Sequence, residues 1–313
     1  MINRILNHPE LVEQPPVLVD VGSSGEIHKS WKRIVKHSIC IAFDADDREM
    51  SFTVEGNLGY KKLILFNKIV SEQEVKNQKF YLTKSPFCSS TLEPDINALE
   101  GWAFQELFQT VETKKIDTIT INRALDLAGL NYIDWFKTDS QGTDLRIFKS
   151  IEKKISDKVI IAEFEPGIID AYKGEDKMTS VMSYLAKKNF FLVNMEIRGT
   201  QRISINNINS LFPRFKNKLY QFRLLLNQSP CWAELTYMNK FEDVTLFSKR
   251  DFLIGILFSL LHKQYGHAIY IAQKAAKIFE DKIFEDSINF GTRKIRPDLF
   301  FYFKLIKSKL FAS

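Results

Sequence analysis

VLVDVGSSGE, residues Val17–Glu26, runs from a short apolar strand, Val17–Val21, straight into a Gly/Ser turn. The next segment, Ile27–Val35, places Ile27, Trp31, Ile34 and Val35 at helical spacing and predicts a helix. Ser38–Phe43 is a nearly continuous apolar run that ends abruptly in acids, the pattern of a strand buried on both faces. A third strand, Lys62–Phe66, follows. This rhythm of strand, helix and strand predicts a parallel α/β sheet. Downstream, Phe80–Pro94 reads as one short strand and then turn chemistry, an insertion or active-site loop. Ile121–Ala128 predicts a helix capped by Gly129, and Tyr132–Gly142 a strand with a polar turn. Leu145–Ile155 and Met178–Lys188 predict helices, and Lys158–Glu165 and Phe190–Glu196 the fifth and sixth strands.

Beyond Arg198 the α/β rhythm fades. Ser204–Ser210 is Asn-rich and reads as a loop, while Tyr220–Leu226 and Trp232–Tyr237 suit strands or short helices. From Arg250 the pattern is helical, over Asp251–Tyr265, His267–Phe284 and Leu299–Leu310. The expected organisation is an α/β domain over 1–240 and a helical extension over 241–313.

Among 313 residues, 45% apolar and 26% charged side chains supply a real core and exclude a disordered or fibrous chain. Lys+Arg exceed Asp+Glu by 44 − 38 = 6, an excess that permits an anionic partner without demanding one. Cys40, Cys88 and Cys231 are too scattered for a disulfide scaffold or a zinc site, which fits a reducing, cytoplasmic setting. Met1–Gln14 carries His8, Glu10 and Glu13 and has no apolar core of a signal peptide. The longest mostly apolar run, Phe252–Leu261, falls well short of the ~20 residues of a membrane span.

Three turns that carry chemistry fall at the ends of successive strands, where open parallel sheets bind ligands. In the first, Asp20-Val21-Gly22-Ser23-Ser24-Gly25-Glu26, the glycines allow close approach of the backbone to a ligand. The second, Phe43-Asp44-Ala45-Asp46, puts Asp44 where an acid accepts hydrogen bonds from a ribose diol; the bland alternative is a helix cap. A dinucleotide fingerprint needs G-x-G-x-x-G, and only Gly22-Ser-Ser-Gly25 is present. Asp20 at the start of the loop suits an amine-bearing ligand better than a phosphate, which favours S-adenosylmethionine over NAD. The third turn, Lys137–Asp144, holds Asp139, and the neighbouring strand supplies Glu163 and Glu165. Glu163, embedded in an apolar run, is placed for a raised pKa and general-base work, or else for pairing with a Lys or Arg.

VLVDVGSSGE, IAFDAD, WFKTDSQGTDLRIFKSI and VIIAEFE, in this order, resemble the FkbM-type methyltransferases over about residues 15–200. The family pattern is roughly D-x-G-x-N-x-G, F-E-P, then K-x-D-x-E-G-x-E before a helix, then an acid-bearing strand. The chain departs from it at Ser24 (for Asn), Asp44 and Ala45 (for Glu and Pro), and Gln141 and Asp144 (for two Glu). The resemblance implies a Rossmann-like class I methyltransferase sheet, mostly parallel with seven strands, that binds S-adenosylmethionine and methylates a hydroxyl of a sugar, glycan or natural product. Carried over by position, Asp20, Gly22, Ser24 and Gly25 shape the methionine pocket and Asp44 the ribose site. Asp139 forms the floor of the active site, with Asp139 or Glu163 accepting the hydroxyl proton.

Three secondary candidates are His28, close after Gly25; the stretch Ser85–Thr91, as substrate cover; and Arg198, as a site for an acidic group. Each has an ordinary structural alternative. No metal is expected, since His262 and His267 lack carboxylates at ligand spacing. A nucleic-acid methyltransferase would want a Lys/Arg stripe interleaved with aromatics, which is missing, so nucleic acid is not the favoured partner. A binding protein on a methyltransferase fold is the other alternative. The Phe-rich C-terminal helices suit a homo-oligomer interface, an acceptor lid or a membrane-surface contact, and the sequence does not choose among them.

Overall fold

The computed structural model describes residues 1–22, 27–43, 58–211 and 226–297. The chain packs as two units, Pro15–Glu242 and Met1–Gln14 with Asp243–Ser313.

The first unit is built on a seven-stranded sheet. Its strands are β1 (Val17–Val21), β2 (Ile39–Phe43), β3 (Lys62–Phe66), β8 (Trp135–Thr138), β9 (Ile161–Phe164), β10 (Phe190–Thr200) and β11 (Ser229–Asn239). Between β3 and β8 run β4 (Ile69–Val70), β5 (Gln78–Thr83), β6 (Thr110–Ile116) and β7 (Thr118–Ile119), which form two small two-stranded sheets, β4 with β7 and β5 with β6. The large sheet has the order β10-β11-β9-β8-β1-β2-β3. The strands β3, β2, β1, β8 and β9 run parallel, and β11 is antiparallel to both of its neighbours. The expected α/β class with a mostly parallel, seven-stranded sheet is therefore observed, and it fits a methyltransferase fold. The chain leaves β1 for β2 and β3 on one side and returns as β8 and β9 on the other. The direction of winding reverses between β1 and β8, so the crevice for a ligand opens at Gly22 and Asp139.

Alternation explains which side chains face the helices. Val17, Val19 and Val21 of β1, Phe136 of β8 and Ala162 and Phe164 of β9 share one core. The helices Ile121–Ala128, Asp144–Ser150, Lys153–Ser156 and Met178–Leu185 close it, with Leu125, Phe148, Ile155 and Val181 among the buried contacts. Phe148 lies 5.3 Å from both Phe136 and Phe164, centroid to centroid. The helix Ile121–Ala128 starts at Thr120, whose hydroxyl accepts from the Arg123 N–H, and stops at Gly129 in the left-handed region (φ +69°).

Several local expectations change. Ile27–Val35 is two 3₁₀ turns, Lys29–Trp31 and Val35–His37, rather than one helix. Positions i and i+3 line up in 3₁₀ geometry, so Trp31 and Ile34 are still fully buried. Leu145–Ile155 is broken at Ile151, which is extended (ψ 134°). The Asn122 side chain holds the break: its amide donates to the Ser150 carbonyl and its oxygen accepts from the Glu152 N–H. The Asn-rich stretch forms a helix, Ile205–Leu211, because the Ser204 hydroxyl accepts from the Asn207 N–H and Ile208 is buried. Trp232–Tyr237 lies within strand β11.

In the second unit, Lys249–Leu261 is buried on almost every side and starts with a reciprocal cap between Ser248 and Asp251. His267–Phe284 divides into helices Tyr265–Ala276 and Lys282–Ile295, because Asp281 caps the latter by accepting from the Ile283 N–H. The first fourteen residues join these helices. Arg250 donates to the Gln14 carbonyl at 2.9 Å, and Arg4 pairs with Asp286 at 2.7 Å. The helix expected over Leu299–Leu310 and most of Tyr220–Leu226 lie outside the described residues. Among the described residues, no helix is long and apolar enough to cross a membrane.

Candidate active site

Gly22 and Asp139 meet at the reversal point. Gly22 has φ +78°, and a Cβ there would collide with the Asp139 carbonyl oxygen. The Asp139 N–H donates to the Val21 carbonyl at 2.9 Å, and the Gly22 N–H to that of Phe43 at 3.1 Å. The end of β1 is thus bonded to the ends of both its neighbours. Ser24, Gly25 and Asp44 lie outside the described residues.

One step deeper, the parallel register aligns Asp20 with Lys137 and Lys137 with Glu163, and the antiparallel register aligns Glu163 with Thr236. Four polar side chains on adjacent strands therefore form one row across the sheet. Lys137 Nζ donates to Asp20 Oδ1 at 2.8 Å, and Asp20 is only 5% exposed. Thr236 Oγ1 lies 3.3 Å from Glu163 Oε1. Burial raises the Glu163 carboxyl to about 7, against the opposing pull of hydrogen bonding to Trp135 and the charge of Lys137. The Lys137 ammonium is pushed up: Asp20 and Asp139 together outweigh the cost of its burial. His28 lies near this row, and burial and then Lys137 lower its pKa, so the ring is neutral at pH 7.

The row of charge continues at the strand ends. Asp139, Gln141, Gly142 and Glu165 line a cavity of about 400 Å³. Burial raises the Asp139 carboxyl, Lys137 pulls it down, and hydrogen bonds from Gln141 (Nε2 to Oδ1, 2.5 Å) and Glu165 help hold the charge. Glu165 is pushed up further, first by burial and then by the charge of Asp139. The two carboxyls thus share a proton near neutral pH, with Asp139 the ionised member. Glu163 sits beneath, in the row with Lys137, and does not line the cavity.

Asp144, 1% exposed, braces the turn. Its carboxylate accepts from the Ser140 N–H (2.9 Å) and hydroxyl (2.5 Å), the Thr138 hydroxyl (3.1 Å) and the Glu165 N–H (2.8 Å). It ties the β8 turn to the end of β9 and so sets the spacing of Asp139 and Glu165. Gln141 occupies the left-handed region (φ +55°), held by its bonds to Asp139 and to the Tyr172 hydroxyl (2.9 Å). A Glu here could accept but not donate, so the departure to Gln converts a repelling neighbour of Asp139 into a hydrogen-bond donor.

The remaining walls are apolar. Phe104 stacks on Trp232 at 6.3 Å (16°), Phe104 meets Phe108 edge-on at 5.1 Å, and Phe108 meets Tyr172 at 5.5 Å. Of the Ser-rich stretch, Ser85, Phe87 and Cys88 reach the cavity, and the Ser90 hydroxyl donates to the Gln141 carbonyl at 2.7 Å. Arg198 is held by Glu234 (2.8 Å) and Glu196 (2.6 Å) on the β10–β11 ribbon; it acts electrostatically on Glu165 but does not line the cavity. Lys137, Asp144 and Glu165 had no assigned role on sequence. The available signal was period 2: Asp139 and Glu165 each stand two residues beyond the row residues Lys137 and Glu163, on the same face and nearer the crevice.

No curated protein and no solved structure matches the chain. A family model described as the methyltransferase FkbM domain matches residues 43–192, which runs from the last residue of β2 to the start of β10 and includes Asp139, Asp144 and Glu165. The third and fourth quoted motifs and the end of the second fall within that match, and over those residues the chain is similar to the FkbM methyltransferase domain.

Proposed function

We propose that this protein is an S-adenosylmethionine-dependent O-methyltransferase with a Rossmann-like sheet, acting on a hydroxyl of a small acceptor seated in the cavity at the ends of β8 and β9. The observation that carries the reading is the Asp139–Glu165 carboxyl pair at the apolar cavity where the sheet reverses. S-adenosylmethionine suits the described residues by charge. Asp20, Asp139, Glu163 and Glu165 surround the single cation Lys137, and a sulfonium offsets that excess where an anionic cofactor would add to it. Asp20 and Gly22 would hold its methionine end, with Ser24, Gly25 and Asp44 completing the site by position in the sequence. When bound, the cofactor supplies an electrophilic methyl group.

The chain's own work is orientation and proton handling. Asp139 accepts the proton of the acceptor hydroxyl as the oxygen takes the methyl group. Glu165, protonated, holds Asp139 in place and keeps its charge from being neutralised by bulk protons. Asp144 fixes the geometry of both. The aromatic walls exclude water and align the acceptor, which is where much of the acceleration arises. Three free thiols suit a reducing compartment such as the cytoplasm.

Calorimetric titration with S-adenosylmethionine, S-adenosylhomocysteine and NAD tests the cofactor. Micromolar binding of the two adenosyl ligands, lost in Asp44→Ala, supports the reading; binding of NAD alone, or of none, rejects it.

A further inference from the structure

The cavity combines five aromatic side chains, Phe87, Phe104, Phe108, Tyr172 and Trp232, with the carboxyls of Asp139, Glu165 and Glu175. Among the described residues, no Lys, Arg or His lines it. The cations nearby are paired with other acids: Lys177 with Glu175 (2.6 Å) and Asp170 (2.8 Å), Arg146 with Asp176 (3.1 Å), Arg198 with Glu234 (2.8 Å), and Lys137 with Asp20 (2.8 Å), though Lys137 and Arg198 also act at longer range on the cavity acids. Glu175 is neutralised by Lys177 and by the Ala171 N–H (2.7 Å), so the remaining negative charge of the cavity is the one that Asp139 and Glu165 hold between them. The Trp232 indole N–H, buried, has no hydrogen-bond partner among the described residues.

Such walls discriminate by charge. Aromatic faces attract a cation and repel an anion through the ring quadrupole. Buried carboxyls facing an apolar acceptor have no counter-charge, whereas an ammonium offsets their desolvation. A phosphate or carboxylate on the acceptor would meet the negative charge of that pair and, among the described residues, no base in the cavity wall. We propose that the cavity selects an acceptor that carries a protonated amine beside its ring, of the class of amino sugars and aromatic amino alcohols, and that it turns anionic acceptors away. The hydroxyl to be methylated then faces Asp139, the ammonium lies between the Asp139–Glu165 pair and the aromatic faces, and the ring stacks on Phe104 and Trp232. This rests on the methyltransferase reading above and adds the acceptor's charge and shape to it.

Two matched series separate ring type from charge: glucosamine, glucose and glucuronate; and tyramine, tyrosol and 4-hydroxyphenylacetate. Each is titrated calorimetrically into the full-length protein, alone and with S-adenosylhomocysteine, at pH 7.5 by choice of buffer, where both amines are charged to a large extent. In at least one series the amine should bind about tenfold or more tighter than its neutral partner, with the acid weakest. Asp139→Asn, which removes the charge of the pair, should bring the amine to within about threefold of the neutral member, and Trp232→Ala should weaken amine and neutral member alike. Thermal melts of both variants separate lost recognition from lost folding. Equal affinities within both series, a preference for the acid, or no amine binding at millimolar concentration would overturn the proposal. If S-adenosylhomocysteine fails to bind while the amine preference holds, the transferase reading fails and the charge selection stands. If it binds while the preference is absent, the reverse is true.

Discussion

Glu163→Gln isolates the energetic state of the row Asp20–Lys137–Glu163–Thr236. The substitution keeps shape and an acceptor oxygen for Thr236 but removes the ability to ionise. In the folded protein the Glu163 carboxyl titrates near 7, raised from 4.5 chiefly by burial. An acid whose folded pKa is raised leaves the folded state holding more protons than the unfolded one between those two values. Its ionisation therefore erodes stability as pH rises from about 4.5 to about 7, and the loss is complete above that. At about 1.4 kcal/mol per pH unit, that gap amounts to about 3 kcal/mol. The amide is exempt from this loss. Denaturant unfolding of both proteins, read by tryptophan fluorescence, should show Glu163→Gln more stable by about 2–3 kcal/mol at pH 8 and by under about 1 kcal/mol at pH 5. A difference that does not change between the two pH values would refute the desolvated state of Glu163. A variant less stable at pH 8 would show instead that the Lys137–Glu163 attraction outweighs burial.

Asp139→Asn should cut methyl transfer by about 10²-fold or more and leave S-adenosylhomocysteine affinity within about threefold, since it removes the proton acceptor and little volume. In the wild type, kcat/KM should rise with pH as Asp139 loses its proton near 6, the ionised form being the active one. Gln141→Glu exchanges the donor to Asp139 for a third acid, so the midpoint of that rise should move to higher pH. Gly22→Ala forces a Cβ against the Asp139 carbonyl from a left-handed backbone and should lower the melting temperature by several degrees, with cofactor binding lost in the same variant. Asp144→Asn sets an amide N–H against donors that now find a carboxylate. It should cost about 2–4 kcal/mol in a denaturation series, because the Ser140, Thr138 and Glu165 bonds cannot all be kept.

The elements that were legible in sequence are those with one dominant signal. VLVDV, Asp20 apart, and ICIAF are apolar runs because both faces of β1 and β2 are covered, and Gly129 marks a helix end because its φ is positive. Asp139 was legible because polar residues at the ends of parallel strands face the crevice. What stayed hidden depends on register and on side chains distant in sequence. That Lys137 serves Asp20, and that Glu163 lies in this row while Glu165 reaches the cavity, follows from how β1, β8 and β9 are aligned, which no single strand encodes. The break at Ile151 is set by Asn122, about thirty residues upstream in a separate helix. The turns around Trp31 replace a helix because burying Trp31 and Ile34 requires only that they share an edge.

All three cysteines of the chain belong to the sheet unit, and all are buried as free thiols: Cys40 on β2, Cys88 and Cys231 in the cavity wall. Burial pushes the Cys88 thiol up to about 11 and raises the other two as well, so few are thiolates at neutral pH and all three resist alkylation while the unit stays closed. Alkylation becomes a clock for local opening: a ligand that fills the cavity should slow Cys88 and Cys231 in concert, while Cys40 keeps its own pace. The second unit has no cysteine to contribute, so a thiol introduced on its surface could carry a dye without competition and report on the helices alone.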